Sequence, residues 1–282
     1  MSRPRYGLGY SPCPNDTFMF HALVHGEVEE CPGILDVVLD DIAGLNERAF
    51  SDAPLPFTKL SACAFGMLSG RFRALRSGAA LGRGCGPLVV VRDEARFQVL
   101  DDLRGASVGI PGTMTTAWLL TRIFGPAELR PEVHRFDQIM PLVARGALDA
   151  GLVIHEGRFT YESLGLRAVA DLGERWESDC DLPLPLGLIA ARADVPHADG
   201  LAMQRGLAAS VRRAWDAPER SAEYVRAHAQ EMDPEVCRAH IDLYVNEFSV
   251  DVGDEGSRAV EALLARGRDV GALPAAAGPV WW

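Results

Sequence analysis

The segment Gly151-Leu152-Val153-Ile154-His155-Glu156-Gly157-Arg158-Phe159-Thr160-Tyr161 decides how the chain is read. Four apolar residues run into an imidazole, a carboxylate and a polar turn. The run is short and apolar, which fits a buried strand of an α/β fold. Strand ends in such folds are where ligands bind. Imidazole titrates near neutrality, so His155 can take a proton at working pH. A histidine satisfied by its neighbours at a strand end is the plainer reading of that residue alone.

Working outward, the preceding stretch supplies a helix at Ile139–Gly146, then Leu148-Asp149-Ala150 and the strand. Upstream of that, Ser107–Ile110 reads as a strand, Pro111–Thr116 as a turn and Ala117–Phe124 as a helix closed by Gly125. Thr115 and Thr116 stand at that helix start, where free N–H groups and hydroxyls meet an anion or a hydroxyl. As a lone motif this is only a capped helix. Tyr6–Tyr10, Ile34–Leu39 and Leu188–Ala191 read as further strands, with helices at Thr17–His25 and Ile42–Phe50. Asn15 or Asp16 is the expected cap of the first of these. Thr58–Cys63, if extended, puts Lys59 and Ser61 on one side. Lys59 can hold a carboxylate and Ser61 can donate a hydrogen bond; a solvent-facing lysine beside a small core serine is the plainer alternative. From Leu201 the pattern is helical, with breaks near Asp216–Pro218, Asp233-Pro234 and Phe248–Gly256. The tail from Gly271 is rich in Ala, Gly and Pro and is expected to be loosely ordered apart from its two tryptophans.

Composition bounds function. The 282 residues suffice for two modest lobes or one large domain, and 48% are hydrophobic. A net charge of −11 disfavours a nucleic-acid partner. Six scattered cysteines, with no CxxC pair, fit a reducing compartment and no zinc pattern. No apolar run reaches membrane-spanning or signal-peptide length, which points to a cytoplasmic protein without a membrane partner. His21 and His25 stand at i, i+4, but HALVH lacks the glutamate of HExxH and no third ligand is evident, so no metal is expected. Gly82–Pro87 leads into a strand and not a helix, which removes a phosphate-loop reading and leaves a turn crossing between lobes.

Six stretches together resemble one family. They are SPCPNDTFMFHALVHG (residues 11–26), TKLSACAFG (58–66), GIPGTMTTAWLL (109–120), the opening segment, LPLPLG (182–187) and HIDLYVNEFSVDVGDEG (240–256). The chain is similar to the 1,4-dihydroxy-6-naphthoate synthases of the futalosine-dependent route to menaquinone, from about Tyr6 to Gly271. The resemblance implies an α/β, two-lobed fold of the periplasmic-binding-protein type (type 2) with a central cleft. Residues 1–90 and 187–282 would form the larger lobe and 91–186 the smaller, joined near Gly86–Arg92 and Pro183–Arg192. It implies a lyase that turns cyclic dehypoxanthine futalosine, a small anionic substrate, into the naphthoate without a cofactor. His155 would be the general base. Lys59, Leu60 and Ser61, with Thr116, Ala117 and Thr115, would contact substrate. Asp16 is added as a cleft-side candidate. The Ala53–Pro56 turn before Lys59 departs from the family pattern by lacking an acidic residue. Chorismate dehydratase, of related fold, and a cytoplasmic small-molecule binding module are the alternatives. Neither a signal peptide nor a helix-turn-helix ahead of Tyr6 supports the module, and turnover separates it from an enzyme.

Overall fold

The computed structural model describes residues 3–229 and 233–282. The strands are β1 (Arg5–Tyr10), β2 (Ile34–Leu39), β3 (Phe57–Ser61), β4 (Phe72–Ala74), β5 (Ala80–Gly82) and β6 (Leu88–Arg92). They continue with β7 (Ser107–Ile110), β8 (Arg130–Val133), β9 (Ala150–Val153), β10 (Leu166–Asp171) and β11 (Leu184–Arg192). Among the described residues they build two mixed sheets. The first runs β2-β1-β3-β11-β4, with β5 also on β11; the second runs β10-β6-β9-β7-β8. In each, the strands paired in parallel (β1–β3, and β7–β9) belong to strand–helix–strand units, and one strand of opposite sense, β11 in the first sheet and β6 in the second, pairs antiparallel with its neighbours.

Burial follows from the layering. Every residue of β3 is buried, because helices cover one face and the second sheet's elements close on the other. Met19, Phe20, Phe57, Met203 and Leu207 pack on the outer side of the first sheet, and Val90, Ile139, Val143 and Val153 do so for the second. A third cluster joins the sheets, with Leu60, Phe72, Val89, Val108, Leu120, Trp176 and Leu188 fully or nearly fully buried in it. Each such large side chain contributes about 1.5–3 kcal/mol by leaving water.

The chain passes from the first sheet to the second between Gly82 and Leu88 and returns between Asp171 and Leu184. The two crossings touch backbone to backbone: a Cβ on Gly86 would lie 2.2 Å from the Gly173 nitrogen. Arg158 ties them together, donating to the Gly86 carbonyl and the Asp171 carboxylate, both at 2.6 Å. β6 joins the second sheet whole and β11 the first.

Several local expectations need correction. The first helix begins at Pro14, not Thr17, and Cys13 occupies the cap position. Proline is suited to a first helical turn because its missing N–H is not needed there. Asn15 and Asp16 therefore sit inside the helix and cap nothing. Thr58–Cys63 is not one strand: β3 stops at Ser61, whose hydroxyl caps a short helix, Ala62–Met67. The last strand starts at Leu184, four residues before the expected Leu188, with an irregularity between Pro185 and Gly187 where proline has no N–H to give. The chain end is tied down: Ala74 N–H bonds the Val280 carbonyl at 2.8 Å, and Trp282 N–H bonds the Ala74 carbonyl at 3.0 Å. The Trp282 ring fills the space over Gly200, where a Cβ would meet it at 2.1 Å.

Candidate active site

A cavity with about 690 Å³ of empty space, its mouth included, lies between the sheets. β3, β11 and the first-helix start form one wall, and the ends of β7 and β9 the other. The loop Cys85-Gly86-Pro87 and the helix Pro234–Tyr244 close the back. Of the eight residues expected from sequence, six line it: His155, Lys59, Ser61, Thr115, Thr116 and Ala117. Leu60 and Asp16 do not. β3 alternation sends Leu60 into the core, fully buried, while Lys59 and Ser61 face the cavity.

Asp16 is fully buried behind Lys59. One carboxylate oxygen accepts from the Lys59 ammonium and from Asn15 Nδ2, the latter at 2.9 Å. The other accepts from the Ser11 N–H at 3.0 Å and the Ser11 hydroxyl at 2.7 Å. With both oxygens engaged, Asp16 is the counter-ion that permits a buried lysine and is not a free ligand group. Lys59 keeps two further N–H bonds to give, so it can still meet an anion in the cavity.

The hydroxyls of Ser61 and Thr116 span the two walls. Ser61 Oγ donates to the Met114 carbonyl, in the turn after β7, and receives from Asn46 Nδ2 at 3.1 Å. Thr116 Oγ1 donates to the Leu186 carbonyl of β11 at 2.8 Å. Thr115 caps its helix, accepting from the Trp118 N–H, and donates to the Gly112 carbonyl at 2.8 Å.

His155 follows β9 with φ of 56°, in the left-handed region. Asn, Asp and His are the side chains that enter this region most readily, at a cost of about 1–3 kcal/mol. The turn sends the imidazole into the cavity wall, and the chain continues into a short helix, Gly157–Thr160, where a plain polar turn was expected. His155 Nδ1 lies 3.5 Å from Cys13 Sγ, and the Phe136 ring leans on it at 5.0 Å between centroids. Burial pushes the His155 pKa below its ordinary 6.5, with Lys59 adding to that and Glu156, Asp16 and Asp41 opposing it. The imidazole is therefore neutral at pH 7 and can accept a proton. Burial pushes the Cys13 thiol up to about 12, so it stays a thiol.

The sequence reading missed the back of the cavity. His240, 1% exposed, lines it with Tyr244, Cys85 and Asn15. Its ring lies nearly parallel to that of His155, with centroids 6.3 Å apart. His240 opens one of the quoted stretches, and that was the only signal for it, because Asn15, its hydrogen-bond partner, is 225 positions away. Among the described residues no group of three or more His, Cys, Asp or Glu is placed to hold a metal. His21 and His25 stack on each other with Tyr224 edge-on. No helix among them is long and apolar enough to cross a membrane.

Comparison with known proteins extends these observations. The sequence profile of a family described as menaquinone biosynthesis matches residues 6–269. A protein of Thermus thermophilus named 1,4-dihydroxy-6-naphthoate synthase is 50% identical over 258 residues, covering 92% of each chain. One of the same name from Streptomyces coelicolor is 45% identical over 281 residues, covering 98% of this chain and 97% of its own. A crystal structure of an Archaeoglobus fulgidus protein superposes with a TM-score of 0.87 at 32% identity, over 95% of this chain and 98% of its own. The periplasmic aliphatic sulphonate binding protein of Escherichia coli superposes with a TM-score of 0.68 at 11% identity, over 96% and 89%. The fold is thus of the periplasmic-binding-protein type, as the resemblance implied.

Proposed function

The chain belongs to the menaquinone biosynthesis family, and from that premise we propose that it is a carbon–carbon lyase converting cyclic dehypoxanthine futalosine to 1,4-dihydroxy-6-naphthoate. The observation that carries the reading is His155: a neutral imidazole, held in the cavity wall by a left-handed turn, in a chain whose relatives bear that enzyme's name. As general base, His155 takes a proton from a substrate carbon. The C–H electron pair forms a new π bond, the adjacent carbon–carbon bond breaks, and its pair leaves with the departing fragment, which is then protonated. Gain of ring aromaticity drives the step, so a base and a few hydrogen-bond donors suffice without electron transfer. Lys59 would hold the anionic end of the substrate, with Ser61 and Thr116 as hydroxyl contacts. Relative movement of a 1–90 plus 187–282 lobe and a 91–186 lobe would admit the substrate and then exclude water. The setting of such a reaction is the cytoplasm.

The test is incubation of the purified protein with the cyclic substrate and detection of the naphthoate by mass spectrometry. Return of the ligand unchanged would support a binding module instead, and loss of water from chorismate would support the related dehydratase.

A further inference from the structure

Behind His155 the hydrogen bonds fix the form of His240 without reference to any titration. The Asp16 carboxylate can only accept, so the Asn15 group that meets it at 2.9 Å is Nδ2. Asn15 Oδ1 therefore faces His240 Nε2, at 3.0 Å, and Nε2 carries the proton. In a neutral ring this leaves Nδ1 as a bare lone pair. That atom is buried and has no hydrogen-bond partner among the described residues. What faces it, 3.8 Å away, is Oε1 of Glu156, a carboxylate with little exposure. Two acceptors face each other at 3.8 Å, beyond hydrogen-bond length, with neither in a form to donate to the other. Glu156 is also the neighbour of His155 in sequence, and its charge favours the protonated form of His155.

We propose that Glu156 and His240 form a proton store behind His155: the proton that His155 takes from the substrate passes to the gap between Glu156 Oε1 and His240 Nδ1. The proposal rests on the reading of His155 as base. One proton leaves the substrate carbon, resides first on His155 and then between the pair, and returns to the departing fragment or to water. No electrons are exchanged with the protein. The pair acts through His155, so its members are positioning residues. The charged and titratable groups that bear on His155 are Glu156 beside it, Lys59 of β3, Asp16 and Cys13 at the first helix, Asp41 after β2 and His240. Glu156 contributes most among those favouring the imidazolium.

Two substitutions keep the local bonds while removing the store. Glu156→Gln cannot take up the proton. His240→Gln retains an amide N–H for Asn15 but has no Nδ1 acceptor. Each should lower kcat roughly 10²-fold, the lower end for a positioned proton carrier, with KM changed less than about threefold. The double variant should be no slower than either single one. In Glu156→Gln, ¹⁵N NMR should show His155 titrating at lower pH than in the unaltered protein. In the unaltered protein, His240 should be the Nε2–H tautomer. Multiplicative losses, an unmoved His155 titration, or a His240 with its proton on Nδ1 and Nε2 bare would each overturn the store. The NMR arm needs no turnover. Absence of naphthoate with the unaltered protein would therefore count against the proposed function, while the spectra still decide for or against the pair.

Discussion

The two walls of the cavity are built on opposite terms. On the first-sheet wall, Lys59 and Asp16 form a buried ion pair, and Ser11, Asn15 and Asn46 hold the surrounding groups in place. On the second-sheet wall, His155 sits in a left-handed turn with a thiol 3.5 Å from its Nδ1, and at the back of the cavity His240 Nδ1 has no hydrogen-bond partner among the described residues. A saturated network fixes position because breaking any member is costly. An unsaturated one leaves lone pairs free to receive a proton. On the proposed reading, the first wall would place the substrate, and the second would be where protons move.

The contrast breaks first at His155. Asparagine tolerates the left-handed turn, so His155→Asn should fold and bind ligand while losing about 10²–10⁴-fold in turnover, the usual contribution of a general base. Thermal midpoint, ligand affinity and turnover on this one variant check it. Near-normal turnover, or a loss confined to stability, would show that His155 is merely a strand-end residue.

Next in size is Asp16. Asp16→Ala leaves the Lys59 ammonium buried without its counter-ion and should cost about 3–5 kcal/mol of stability in denaturant unfolding. A loss below about 1 kcal/mol would mean that Lys59 reaches water and that this wall is not the fixed one.

Ser61→Ala and Thr116→Ala each strand a carbonyl, Met114 O and Leu186 O, at a cost of about 1–3 kcal/mol. If the hydroxyls also touch substrate, kcat/KM falls by a comparable factor. If they only join the two walls, stability falls and kinetics per folded molecule do not, and that outcome would remove both from the site.

The smallest expected effect is in pH. His155 and His240 both have pKa values held below 6.5 by burial. Below pH 6.5 the unfolded chain binds protons that the folded one does not, so stability is full above that pH and falls as pH drops towards the folded values. The stability advantage of the unaltered protein over His155→Asn should therefore shrink as pH falls below 6.5. A difference that stays flat from pH 7 to pH 5 would show that His155 is not held neutral by burial.

The fold was legible because its signals are local. Leu88–Val91, Ser107–Ile110 and Ile34–Leu39 are apolar or alternating runs with Gly, Pro or Asp at an end, and each became a strand. The helix over Ile42–Phe50 came with its Asp41 cap. Local signals also misled. The first helix read as starting at Thr17 but opens at Pro14, and the last strand read as starting at Leu188 but begins at Leu184 and takes in Pro185. The tail read as loose, yet Trp282 is gripped by Ala74 and Gly200, some 200 and 80 residues earlier, which no local pattern encodes.

What the sequence by itself determined is a set of parts: some strands of each sheet, though not β4, β5, β8 or β10, a histidine at a strand end, a Lys-x-Ser segment and a threonine-rich helix start. Motif and periodicity reach only a few residues, and these parts lie within that reach. What only the tertiary structure decided is how the parts are used. It turned Asp16 from a cleft candidate into a counter-ion and Leu60 into core. It engaged Ser61 and Thr116 across the two walls, and it brought His240 to Asn15 from 225 positions away. Hydrogen-bonding capacity is finite, so a side chain's role depends on which partners have already claimed it, and those partners are set by packing between elements distant in the chain.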